Sequence, residues 1–482
     1  MAGPRILLVN PGRLPSIEND TVFPPLGILC IAGMLRAEGY DVEIHDYDCM
    51  PVTPEAVKAD LAKFSPDIVG VSTLTGPQLK RSMVISEAAK EHGCKVVWGG
   101  PHATILPKEC LEYDPVDAVV MGEGEEAMVR LLKYWENPRS APAVLEGCGI
   151  IDESGQPVVF PAAAKLMDMD DLPMPAWDLV PDMDRYVTKV GEDLRVTDRW
   201  RIKINTSRSC VYKCSFCYQA NDSIIGYLGK YRCLSPKRVL REMDFINSLT
   251  TEHISAWDFV DMLTIFHRKH STEMCETFID SGRDMRWYGS GRHSILTDDL
   301  IKVMRKSGCE MIFFGIESGS PRILKMVRKP LDVPRSAYIA KQMNKAGIYS
   351  IGSYIMGMPT ETIADVEQTL DVMNTIPSSV NVCQVYLPIP GTPSFELALN
   401  TGRFECPTNM HEWTEFVDRV DQINCSEIDS EVLFPLTFEA AKNSYLRFYL
   451  KYQWDFLRQG KVATFLRALV QNRVNEELFK AA

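Results

Sequence analysis

Ser207-Arg-Ser-Cys210-Val-Tyr-Lys-Cys214-Ser-Phe-Cys217-Tyr218 is the stretch from which the rest of the chain is read. It follows a strand-like run, Ile202 to Thr206, so it is expected on a loop at the carboxyl end of a strand, where barrel enzymes carry their chemistry. Three thiolates in so short a loop can wrap one face of an iron–sulfur cluster, for which thiolates are well suited. A structural zinc site needs a fourth nearby ligand. The next cysteine is Cys233, and no histidine lies between Cys210 and Cys233. Three ligands would leave one iron of a four-iron cluster open to a substrate. A zinc site borrowing Cys233, or three unrelated buried cysteines, are the competing readings.

Downstream of the triplet the sequence continues as a strand–helix series. Strand candidates are Ile202 to Thr206, Ala256 to Val260, Trp287 to Ser290, Met311 to Ile316, Ser350 to Met356 and Asn381 to Leu387. Helical stretches follow the first five, which predicts a partial (β/α)6 TIM-type barrel over residues 201–402. From 403 to 482 the pattern is mainly helical, a C-terminal extension with aromatic and basic residues mixed between Tyr445 and Leu478. Aromatics at helical spacing are ordinarily core. Lys461 to Arg473 is the segment that would suit a peripheral contact with an anionic membrane.

Upstream, residues 1–140 alternate strands (Arg5 to Asn10, Asp41 to His45, Asp67 to Ser72, Lys95 to Trp98, Asp117 to Met121) with helices. The first helix is expected from Leu26 to Glu38, closed by Gly39. This predicts an N-terminal Rossmann-like parallel sheet with its ligand beyond the carboxyl ends of the strands. Residues 141–200 hold six of the prolines, among them Pro157, Pro161, Pro173 and Pro175, and read as an extended linker with a small hairpin rather than a core. The fold class is α/β.

At 482 residues the chain suits two or three domains. It is 45% hydrophobic and 24% charged, with a net charge of −12, which argues against a general nucleic-acid binder. Its fourteen cysteines do not suggest a disulfide scaffold in a chain this long. The longest apolar run, Phe23 to Leu35, is too short to span a bilayer, and the N-terminus enters a strand without a signal-like run. A cytoplasmic location is the expectation.

The CxxxCxxC pattern, with Phe216 before the last cysteine, resembles the radical S-adenosylmethionine superfamily. The resemblance implies a 4Fe-4S cluster on Cys210, Cys214 and Cys217 whose unique iron chelates S-adenosylmethionine. It also implies reductive cleavage of that cosubstrate to methionine and a 5′-deoxyadenosyl radical. Further segments are similar: Asp258 to Leu263, with Asp261 alone where the family has paired acids; Gly315-Ile-Glu317-Ser318-Gly319; Gly357-Met-Pro359-Thr-Glu361; and Pro388-Ile-Pro390-Gly391-Thr392. By this likeness Phe216, Asp261, Glu317, Ser318, Gly357 and Pro390 are the expected S-adenosylmethionine contacts.

Gly122-Glu-Gly124-Glu-Glu-Ala127 imitates a dinucleotide fingerprint but follows the last strand of the sheet instead of the first, and it sets carboxylates where a pyrophosphate would lie. Val9-Asn10-Pro11 after the first strand, Phe23-Pro-Pro25-Leu-Gly27, Gly70-Val-Ser72-Thr73, Gly99-Gly100-Pro101-His102 and Gly122-Glu-Gly124-Glu125 instead resemble the cobalamin-binding domain that precedes the radical domain in a large subgroup of the superfamily. On that likeness the expected cobalamin contacts are Asn10, Pro25, Leu26, Ser72, Thr73, Gly99, Gly100, His102, Gly122 and Glu123. The Asp-x-His-x-x-Gly sequence of cobalamin domains that ligate cobalt through histidine is missing after the first strand, so no histidine is expected on the cobalt, His45 and His102 included. The combined resemblance implies a C-methyltransferase acting on an unactivated carbon of a small-molecule or lipid-like substrate, with an external electron donor such as flavodoxin or ferredoxin. A ring-forming or oxidising enzyme of tetrapyrrole type, and a non-catalytic iron–sulfur electron-transfer or sensing protein, are the alternatives.

Overall fold

A computed structural model describes residues 3–13, 22–138, 145–189, 199–220, 229–416 and 423–458, with side-chain surroundings as far as Ser444. The chain divides into two compact units. The first takes the described residues within Met1–Tyr186, Ser207–Thr251 and Leu387–Ile423; the second takes those within Val187–Thr206, Glu252–Tyr386 and Asn424–Ala482.

In the first unit the apolar run RILLVN becomes β1 (Arg5–Asn10), with its four central residues buried. β2 (Asp41–Asp46), β3 (Ile68–Ser72), β4 (Lys95–Gly99) and β5 (Ala118–Val120) follow in the expected places. The strand order is β2-β1-β3-β4-β5, all parallel. β1 lies between β2 and β3, so successive crossovers diverge there and open a crevice at the carboxyl ends of the strands. The helix after β1, Leu26–Ala37, stops where Gly39 takes a positive φ of 89°.

Residues 145–189 pack more closely than a linker would. β6 (Cys148–Ile151) and β7 (Pro157–Val159) form the expected hairpin, which extends the first sheet antiparallel to β5. Beyond it, Trp177 and Tyr186 are buried. The Trp177 indole donates to Glu242 at 2.9 Å, and the Tyr186 hydroxyl donates to Asp46. Prolines remove backbone donors, so this stretch is held by its aromatic anchors instead of by a strand ladder.

The second unit is built on a single sheet of seven strands: β8 (Thr188–Lys189), β9 (Trp200–Ile204), β12 (Ile254–Phe259), β13 (Arg286–Gly291), β14 (Cys309–Glu317), β15 (Tyr349–Met356) and β16 (Val380–Val385). The short pair β10 (Ser207–Arg208) and β11 (Arg232–Cys233) belongs to the first unit. From β9 to β16 the six strands run parallel in sequence order, which is the partial-barrel arrangement; β8 is antiparallel. Ile312, Phe314 and Ile316 of β14 are buried, whereas Phe313 between them is 41% exposed. That alternation makes one face of the strand core and leaves the other open. The C-terminal helix, Ser430–Arg458, packs Leu433 and Ala440 onto Tyr354, Met356 and Val366. No helix among the described residues is long and apolar enough to cross a membrane. The Lys461 to Arg473 segment lies outside the described residues.

Candidate active site

The thiol loop leaves a two-stranded pair in which Ser207 faces Cys233 and Arg208 faces Arg232. Ser209 then takes a positive φ of 66°, turning the chain into the loop. Inside the loop the Cys217 amide donates to the Cys214 carbonyl at 2.9 Å and the Ala220 amide to the Cys217 carbonyl at 2.8 Å. These turns leave Cys210 and Cys217 half-buried and Cys214 buried. Phe216 is half-buried beside them. Tyr218 sits against the set: burial raises its pKa, with Cys217 and Cys210 adding to the effect and Gln219 opposing it.

Ser215, in the middle of the loop, is the anchor that sequence reasoning missed. Its hydroxyl lies 2.8 Å from that of Ser394, and its carbonyl accepts from the Ser394 amide at 3.0 Å. Both serines are buried. Ser394 opens the helix Pro393–Asn400, which Thr392 caps by accepting from Phe395. The buried Pro390 and its neighbours are thereby held beside the thiol loop. No local signal links positions so far apart in the chain.

Among the described residues no three His, Cys, Asp or Glu side chains gather tightly enough for a single metal ion. The ligands of a four-iron cluster attach to separate irons and stand further apart. Three soft donors on one partly open loop match the three-thiolate set of such a cluster and fall one short of a tetrahedral zinc site.

In the second unit the expected S-adenosylmethionine residues lie at strand ends, and each is held by its own partners. Asp261 accepts from Thr206 through both oxygens, from the amide at 2.6 Å and the hydroxyl at 2.5 Å. Glu317 ends β14 at a positive φ of 69° and accepts from the Lys329 ammonium at 2.5 Å. A Cβ on Gly315 would lie 2.3 Å from that carboxylate and 2.6 Å from that ammonium, so the pair depends on the glycine. Lys329 was not foreseen: twelve residues separate it from Glu317, with nothing periodic between them. Ser318 lies 3.1 Å from the Thr369 hydroxyl, which also accepts from the Gly319 amide at 2.9 Å.

Gly357, with a positive φ of 84°, begins the turn after β15. Its amide and that of Met358 donate to one oxygen of Glu361, at 2.5 and 3.1 Å. Burial outweighs these bonds and raises the Glu361 pKa from 4.5 to about 7. Between those values the folded chain holds a proton that the unfolded chain releases, so this group's contribution to stability falls as pH rises. The full cost, at most about 3 kcal/mol, applies above the upper value. Glu361→Gln is expected to flatten the dependence of Tm on pH across that window. Parallel wild-type and variant melting curves would show that Glu361 is not protonated in the folded state.

At the carboxyl ends of the first sheet, Asn10 donates to Asp46 at 2.7 Å and accepts from Gln78 at 3.2 Å. Pro25 and Leu26 begin the helix after β1, where the Leu29 amide donates to the Pro25 carbonyl. The buried Thr73 hydroxyl donates to the Gly99 carbonyl at 2.8 Å and accepts from the Ala103 amide at 3.2 Å. Gly100 has a φ of 95°, and a Cβ there would lie 2.8 Å from the Thr73 carbonyl and 3.3 Å from the Ser72 hydroxyl. The Gly122 amide donates to Thr104. Phe23 and Leu74 stay 42% and 49% exposed at this edge.

His102 is buried, with Nδ1 2.9 Å from the Thr75 hydroxyl. Its Nε2 has no partner among the described residues. Burial lowers its pKa to about 4, so the ring is neutral. A tight glycine turn and an orphaned ring nitrogen suit a bulky ligand lying against this edge. His45 stands apart, with Nδ1 3.3 Å from Asp60. Glu123, among the expected cobalamin contacts, pairs with Arg208 and Arg232 of the thiol hairpin.

Both α/β units have counterparts among known proteins. Residues 16–132 match the B12 binding domain family and residues 204–373 match the radical SAM superfamily. The chain is 31% identical over 401 residues to an uncharacterized methyltransferase of Pyrococcus horikoshii, PH0819, covering 82% of this chain and 83% of that one. It is 27% identical to the anaerobic magnesium-protoporphyrin IX monomethyl ester cyclase of Cereibacter sphaeroides, covering 96% of this chain and 75% of that one. Among solved structures it resembles the radical S-adenosylmethionine methyltransferase TsrM of Kitasatospora setae, with a TM-score of 0.65 at 18% identity over 84% of this chain and 76% of that one. The chain belongs to the radical SAM superfamily, in the branch that carries a B12-binding domain. Cobalamin and S-adenosylmethionine are its cofactors.

Proposed function

We propose that Cys210, Cys214 and Cys217 hold a 4Fe-4S cluster used to cleave S-adenosylmethionine, and that the enzyme methylates an unactivated carbon of a small biosynthetic substrate. The observation that carries this reading is the thiol hairpin built into the same compact unit as the corrinoid sheet. The chemistry supplied by the bound groups is one-electron reduction of S-adenosylmethionine, hydrogen abstraction from the substrate and delivery of a methyl group.

The chain's own residues do the positioning. Ser215 and Ser394 fix the middle of the thiol loop. Glu317, Ser318 and Gly357 offer polar groups at the ends of β14 and β15 for the cosubstrate, and Lys329 balances the Glu317 charge. Thr73, Gly99, Gly100 and His102 shape the corrinoid edge, with His102 neutral and off the cobalt. Electrons come from an external flavodoxin- or ferredoxin-like donor.

A second reading, ring formation of the cyclase kind, is favoured by the cyclase relative, whose likeness runs over 96% of this chain. Anaerobic incubation of the reduced, cobalamin-loaded protein with S-adenosylmethionine separates the readings. Methyl transfer yields both S-adenosylhomocysteine and 5′-deoxyadenosine, whereas a cyclase yields deoxyadenosine without S-adenosylhomocysteine. Formation of neither would leave the non-catalytic iron–sulfur reading.

A further inference from the structure

Arg208 stands two residues before Cys210 and divides its guanidinium between two carboxylates. Nη1 lies 2.6 Å from Glu123 Oε2 and Nη2 lies 2.5 Å from Glu125 Oε1. Arg232, facing Arg208 across the strand pair, takes the other oxygen of Glu123 and donates through Nη1 to the Met167 carbonyl at 2.7 Å. The four side chains are 6–19% exposed. Two cations and two anions make the set neutral, so removing one member leaves an unmatched charge in a largely desolvated place and costs stability.

The network also has an address at each end. On one side it reaches the thiol loop through Ser209 and Cys210. On the other, Glu123 follows Gly122, whose amide donates to Thr104 at 2.9 Å. Thr104 lies on the short helix Pro101–Ile105, which carries His102 and whose Ala103 amide donates to Thr73. Hydrogen bonds and ion pairs, joined by steps of one or two residues along the backbone, therefore lead within one compact unit from the corrinoid edge to the first cluster ligand. The Glu-Gly-Glu-Glu segment that imitates a nucleotide loop has a use here: its carboxylates receive arginines.

We propose that this ion network couples the two cofactor sites, with Arg208 as the positioning residue, so that loading either cofactor tightens the hold on the other. The proposal rests on the reading of the three thiolates as cluster ligands and of the strand ends as the corrinoid site. Coupling of this kind is reciprocal: the factor by which the cluster changes cobalamin affinity must equal the factor by which cobalamin changes cluster affinity. Each arm of Arg208 goes to a different carboxylate, and a lysine, as a single point charge, cannot span both.

The test is the dissociation constant for hydroxocobalamin, measured in cluster-loaded and in iron-stripped full-length protein. Wild type is expected to bind about five-fold tighter or more when the cluster is present. In Arg208→Lys and in Glu123→Gln the ratio should fall towards one. Iron retention against a chelator should likewise be greater with hydroxocobalamin than without it, and this difference should shrink in the variants. Should Arg208→Lys fail to fold, Glu123→Gln, which keeps the Arg208–Glu125 pair, carries the test. A wild-type ratio of one with both cofactors bound, or an undiminished ratio in the variants, overturns the coupling and leaves the proposed function standing. Wild-type protein that takes up no iron–sulfur cluster, or no cobalamin, overturns both.

Discussion

Replacing Cys210, Cys214 or Cys217 by alanine is expected to remove the iron–sulfur absorption and to lower 5′-deoxyadenosine formation by at least about a thousand-fold, about 4 kcal/mol in barrier. With three ligands for four irons, loss of one leaves a second iron without a thiolate, and the soft donor cannot be replaced by a neighbouring oxygen. Cys233→Ala is the informative contrast. Its thiol lies on the strand opposite Ser207, outside the loop, so this variant should keep its iron and its turnover. If Cys233→Ala instead lost a single zinc ion along with Cys210→Ala, the zinc reading of the cysteines would replace the cluster. Iron, sulfide and zinc content, together with the electron paramagnetic spectrum of the dithionite-reduced protein, decide between these. Hydroxocobalamin should still bind to the alanine variants, weakened only by the coupling factor.

The second large effect concerns Glu317 and Lys329. Their side chains are 9% and 12% exposed, so the pair is close to fully desolvated. Glu317→Gln leaves a buried ammonium without its counter-charge, which costs about 3–5 kcal/mol of stability. Adding Lys329→Met should recover most of that loss, because a buried pair replaced by neutral groups of similar volume is nearly neutral overall. Affinity for S-adenosylmethionine should behave differently. If Glu317 contacts the cosubstrate, both the single and the double variant lose about ten-fold or more, about 1.4 kcal/mol. Denaturant melts and equilibrium binding of S-adenosylmethionine to the cluster-loaded variants supply the two readouts. A double variant that regains both stability and affinity would mean that Glu317 only neutralises Lys329.

Much of the fold is legible in linear order because both sheets are built from short buried runs. RILLVN, DVEIH and KVVW need only their own apolar content and the punctuation of Gly39 or Pro11 to read as parallel strands. The six barrel strands fall close to their expected positions for the same reason. The proline-rich stretch 145–189 was less legible. Trp177 and Tyr186 bury themselves through single hydrogen bonds to Glu242 and Asp46, and one aromatic residue among prolines leaves no periodic trace. The short hairpin was visible; its place as the edge of the first sheet was not, since strand pairing depends on distant partners.

The cysteine triplet stands out by its spacing alone, because three thiols and the gap to the next cysteine are local properties of one short segment. What holds that loop is tertiary. Ser215 meets Ser394 from the far end of the barrel sequence, and Arg208 meets Glu123 and Glu125 from the last turn of the first sheet. An ion pair or a serine contact between segments 83 to 179 residues apart has no periodicity and no motif, and it exists only once the backbone has brought the partners within hydrogen-bond reach. By itself, then, the sequence determined which thiols to watch and that two α/β series flank them. Only the tertiary structure decided that the loop bearing those thiols is fastened, through a half-buried pair of arginines, to the turn after the last parallel strand of the first sheet.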